Sequence, residues 1–149
     1  MADKDGRVLS VRLSGADVRK LKVIAGRVGV TESEVVRFAL RHALARMSPL
    51  HDTGTHGATL LPVFVEFGTE MMSYFDLDEP ALDRIINEDL DGGRRVERED
   101  IGLLAMSALE ENRLAARLAQ VASGPIDSAG VRDALREYLY GKYLYRRSA

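Results

Sequence analysis

Val8, Ser10 and Arg12 stand two residues apart in "RVLSVRLS", Arg7 to Ser14, so a strand there would carry a branched apolar group, a hydroxyl and a guanidinium on one face. Such a set suits recognition better than catalysis. An Arg fork matches guanine O6 and N7, Ser pairs with either donors or acceptors, and Val can contact a thymine methyl. Two other groupings imitate metal chemistry. His51, Asp52 and His56 flank "DTGT", but a turn-rich segment gives them no fixed geometry, and no metal site is expected. In "NEDLDGG", Asn87, Asp89, Asp91 and Gly92 occupy positions one, three, five and six of a calcium loop. The twelfth position, which needs a bidentate Glu, is Arg98, and Arg94 falls where an apolar residue belongs; a polar helix end and turn is the reading. No nucleophile and base are paired in a recognisable motif: Cys is absent, as are G-x-S-x-G and a phosphate-binding Gly loop. Neither an enzyme nor a cofactor is expected. The tyrosines of "YLYGKYLY" (Tyr138, Tyr140, Tyr143, Tyr145) fit a packed helix face or an interaction surface equally.

The elements that would position these groups are mostly helices. Leu9, Val11 and Leu13 alternate with the outward trio, as in a half-buried strand. Ser14 caps a first helix as S-x-x-D with Asp17, and Gly29 stops it. Thr31 and Glu34 form a capping box that opens a second helix, whose broad apolar face includes Val35, Val36, Phe38, Leu40 and Leu44; it ends at Met47 or Ser48, before Pro49. The turn formers of "SPLHDTGTHGA" lack any period and read as a linker. Four more helices are expected, over 61–75, over "EPALDRIINEDL" with Asp78 as cap, over 97–122 and over 129–146. This divides the chain into residues 1–48, a linker 49–59 and a helical domain 60–149.

The 149 residues carry a net charge of −2 that conceals an asymmetry. Residues 1–50 hold 10 Lys and Arg against 5 Asp and Glu, whereas residues 58–149 hold 11 against 17. A basic head is the candidate for nucleic acid and the acidic body meets something else. No apolar run reaches the ~20 residues of a membrane span, and the polar start with zero Cys makes the cytoplasm the expected location.

A lone strand leaves backbone donors and acceptors unpaired, and no second convincing strand exists in the sequence. "LLPVFVEF" is the only rival, and Pro62 favours a helix start there. The strand is therefore expected to pair with its copy in a second chain, antiparallel about a two-fold axis, with Leu9, Val11, Leu13, Phe38 and Leu40 in the shared core. Val8, Ser10 and Arg12 would then point outward from a two-stranded ribbon that fits the major groove.

Strand, helix, "GVTESE" and helix together resemble the ribbon-helix-helix family of DNA-binding dimers, which includes the Arc and Met repressors. The match runs from Arg7 to about Met47, roughly a third of the chain. The resemblance implies base reading by Val8, Ser10 and Arg12, and phosphate clamping at the start of the second helix around Thr31, Glu32 and Ser33. Arg7 is a further phosphate candidate. Val8 departs from the family's tendency to polar outward residues. The expected fold is mainly α: one strand plus two helices in an intertwined dimer, then an all-α C-terminal domain. The expected function is a bacterial, sequence-specific transcriptional regulator, usually a repressor, acting on double-stranded DNA as a homodimer. The acidic domain could build a tetramer or take an effector or protein partner. An antitoxin of a toxin-antitoxin pair and a plasmid partition or conjugation accessory protein are the alternatives.

Overall fold

A computed structural model describes residues 6–122 and 130–145. The chain divides into two compact units, Met1–Ala45 and Arg46–Ala149. Both ends of the helix expected over 129–146 lie outside the described residues.

In the first unit, Ser14 is extended (φ −64°, ψ 154°) and its Oγ accepts the Asp17 N–H at 3.1 Å, opening α1, Gly15–Val28. Gly29 closes it at φ +80°, in the left-handed region, and the N–H groups of Gly29 and Val30 both reach the Ala25 carbonyl. Helix α2, Glu32–Arg46, begins with the reciprocal box: the Thr31 N–H donates to Glu34 Oε2 at 2.8 Å, and the Glu34 N–H donates to Thr31 Oγ1 at 3.2 Å.

The strand expected at Arg7–Ser14 is not formed. Among the described residues there is no strand and no sheet, so the fold is helical throughout rather than one strand plus two helices. The reason is pairing. A strand exists only through a hydrogen-bonded neighbour, and the other apolar run, from Leu61, is helical as Pro62 indicated. Residues 6–14 are solvent-exposed along their whole length.

The second unit is built, among the described residues, on seven short elements. Helix α3, Ser48–His51, leads through an Asp52 turn to a 3-10 turn, Gly57–Leu60, which runs into α4, Leu61–Tyr74. Gly68 interrupts α4 with φ 59° and ψ −146°, a conformation that side-chain-bearing residues avoid. Helix α5, Glu79–Asn87, starts at Asp78, whose carboxylate accepts the Ala81 N–H at 3.0 Å. Then come α6, Arg98–Met106, α7, Glu111–Val121, and α8, Val131–Tyr143. Here the single helix expected over 97–122 is corrected to two. Ser107 Oγ donates to the Leu104 carbonyl at 2.6 Å, the next residues tighten into i to i−3 bonds, and Glu110 turns extended. A straight helix of that length would run about 39 Å, longer than a domain of this size is wide. The break lets Ile101 and Leu104 of α6 meet Leu114 and Leu118 of α7 in one core with Phe64, Leu82, Ile86, Leu135 and Leu139.

Candidate nucleic-acid interface

The first unit barely has an interior. Ala25 is its only buried residue among those described, Val18, Leu21, Val35 and Ala43 are half-buried, and α2 buries nothing. Apolar side chains lie open instead: Val8 is 96% exposed, Leu9 82% and Phe38 72%, with Val11, Leu13, Val23, Ile24, Val28, Leu40 and Leu44 also exposed. Phe38 stacks on His42 with centroids 6.1 Å apart. The proposed core residues Leu9, Val11, Leu13, Phe38 and Leu40 are thus uncovered in the single chain.

The same surface is basic. Arg7, Arg12, Arg19, Lys20, Lys22, Arg27, Arg37 and Arg41 are all exposed, against Asp17, Glu32 and Glu34. Ser10 and Arg12 are exposed beside Val8, open to a ligand, though without a strand to set their spacing. At the start of α2, Thr31, Glu32 and Ser33 are exposed. The first-turn N–H groups of a helix lack internal acceptors and, with the helix dipole, attract anions. The cap modifies this cradle. Glu34 already occupies the Thr31 N–H, and the Thr31 backbone and hydroxyl, helped by Arg37, hold its carboxyl below the usual range. The N–H groups of Glu32 and Ser33 and the Ser33 hydroxyl are what the helix end offers to a phosphate; the Glu32 carboxylate opposes one.

No protein-family model matches the chain, and neither a curated protein nor a solved structure matches it. The functional reading therefore stands on the residues themselves.

In the second unit, sequence reasoning missed a buried polar cluster. Asp100, 2% exposed in the first turn of α6, accepts from Tyr138 Oη at 2.9 Å and from Lys142 Nζ at 2.8 Å, and it also accepts the Tyr143 hydroxyl. Lys142 donates as well to Glu97 Oε2 at 2.9 Å, and the Glu97 N–H donates to Tyr143 Oη. Burial and then the Asp100 carboxylate push the Tyr138 and Tyr143 hydroxyls above the usual range. Burial works against the Lys142 charge, but its bonds to Asp100 and Glu97 outweigh that and hold the ammonium. These bonds tie α8 to α6. Tyr140 donates to Glu66 at 3.1 Å, and burial with that contact pushes it up to about 12. Three of the four clustered tyrosines thus bond within the unit, while Tyr145 packs edge-on against Tyr140.

The two metal imitations have internal uses. Asp52 accepts from the Gly54 N–H and the Thr55 hydroxyl, which lowers its pKa. Asn87 is buried and exchanges both amide bonds with the Val96 backbone, at 2.8 and 2.9 Å. Among the described residues, no three His, Cys, Asp or Glu side chains converge to hold a metal ion.

Proposed function

We propose that the chain is a homodimeric, sequence-specific DNA-binding regulator of transcription, acting as a repressor in the bacterial cytoplasm, and that its first 45 residues supply both the dimer contact and the DNA contact. The observation that carries this reading is the first unit's near-absent interior combined with its exposed basic surface. A unit of this length with one buried residue cannot bury enough apolar area to fold alone, and chains below about 40–60 residues usually obtain the remainder by association. A second copy is the occupant whose apolar face matches in extent. Once Phe38, Leu40, Leu9, Val11 and Leu13 are covered, the eight cations remain outward, where they suit a polyanion.

Within this reading Arg12 and Ser10 read base edges, Val8 offers an apolar contact, and Arg7 with the Glu32 and Ser33 N–H groups meets phosphates. The αL turn at Gly29 and the Thr31–Glu34 capping box agree with the two helices expected before Pro49, whereas the expected strand is absent among the described residues. The test is selection of duplexes from a random pool by the full chain. Recovery of an inverted repeat supports a two-fold symmetric reader, and recovery of no motif contradicts it.

The acidic unit, with its own core, supports a partner- or effector-binding role rather than a short tail that folds on a toxin. No helix among the described residues is long and apolar enough to cross a membrane.

A further inference from the structure

The second unit contains an open groove of about 350 Å³ between the end of α4, the start of α5 and one face of α6. Its floor is apolar, formed by Met72, Leu77 and Met106 together with Gly102 and Ala105. The last two stand three residues apart on one helix face and are small, which is why the space exists. The nearest group to a Cβ at Gly102 would be the Glu79 carboxylate, at 3.7 Å.

The rim has the opposite character. Asp76, Asp78, Glu79 and Glu110 surround the mouth, and Arg113 is the one cation lining it, 3.8 Å from Glu110. Asp78 is fixed by its cap bond to Ala81, and Glu79 lies 3.7 Å from Arg98. Asp76 sits at φ 52°, held at the mouth by the turn that ends α4.

We propose that this groove binds a small organic cation with an apolar body, such as an aryl- or alkylamine. The volume lies in the range of small-molecule sites, about 300–1,000 Å³. Methionine side chains adapt to varied apolar shapes, and carboxylates form strong charge-assisted bonds with ammonium groups. Four carboxylates against the guanidiniums of Arg113 and Arg98 leave the rim with a negative excess that disfavours an anion. A bare metal ion fits poorly, since these carboxylates do not converge on one point, whereas an amine needs one or two of them and uses the floor. The inference stands whether or not residues 1–45 bind DNA.

The experiment titrates the full chain, with methionine methyl groups isotopically labelled, against phenylbutylamine, phenylbutanol and phenylbutyrate, which share a body and differ in head group. The expected result is that the Met72 and Met106 methyl signals shift with the amine, that the amine binds at least about threefold more tightly than the alcohol, and that the acid gives no shift. In the surface variant Asp76→Asn with Glu110→Gln, the amine should fall to the alcohol's affinity, since exposed charge pairs contribute up to about fivefold each. Equal binding of all three heads, no methyl shift with millimolar amine, or an unchanged preference in the double variant would each overturn the proposal.

Discussion

In the proposed DNA-binding reading, base discrimination rests on Arg12, one of two guanidinium forks in residues 6–14; the other, Arg7, is assigned to phosphate. Arg12→Ala should lower the preference for the selected duplex over a scrambled one by about 1–3 kcal/mol, measured by competition binding, with the oligomeric state unchanged. An unaltered preference removes Arg12 from the interface. Glu34 makes a separate prediction. Its folded pKa lies below the ordinary value of 4.5, so its contribution to the start of α2 is complete above that value and fades as pH falls through the folded pKa. The Thr31 amide resonance should therefore move on acidification below 4.5, and Glu34→Gln should abolish that movement; a pH-independent amide contradicts the cap. Both caps were legible in the sequence, since S-x-x-D and T-x-x-E are local signals. Asp100 was not: a carboxylate in the first turn of a helix normally completes the dipole at the surface, and its three partners lie 38–43 positions away on α8.

At the scale of elements, α8 is held by chemistry as well as by the burial of Val131, Leu135 and Leu139. Asp100→Ala would leave Lys142 and two tyrosine hydroxyls without their shared acceptor, and the second unit should lose about 2–3 kcal/mol, read from the urea midpoint at unchanged m-value. A loss below about 0.5 kcal/mol would show that α8 is held by its apolar face alone. Why other elements were not legible has two physical reasons. The period-two alternation of residues 7–14 is real in the sequence, but periodicity encodes only which faces differ; a strand also needs a partner, and the described residues contain none. The α6/α7 break carries no Pro or Gly signal at Ser107–Glu110. It follows from the size of the core that both halves must cover, which is a tertiary demand. Conversely, the capped starts of α1, α2 and α5 emerged where side-chain chemistry is decided within three residues.

For the whole molecule, the contrast between the units is the central feature. One buries Phe64, Leu82, Ile101 and Leu139 completely, while the other leaves Phe38 open at the surface. In a lone chain, Phe38→Asp would be close to neutral, as exposed substitutions generally are. In the proposed dimer it places a charge in the shared core, so sedimentation should show loss of the dimer and circular dichroism should show loss of helix from the first unit. A stable, folded monomer carrying Asp at this position contradicts the shared core. The most direct measurement of the central claim is a titration of the full chain against the selected duplex and its scrambled counterpart at several salt concentrations, with stoichiometry determined. The account predicts two chains per inverted repeat, affinity falling steeply with salt, and a preference of at least about 10³ for the selected sequence. Equal affinity for the two duplexes, or no binding by either, would contradict it.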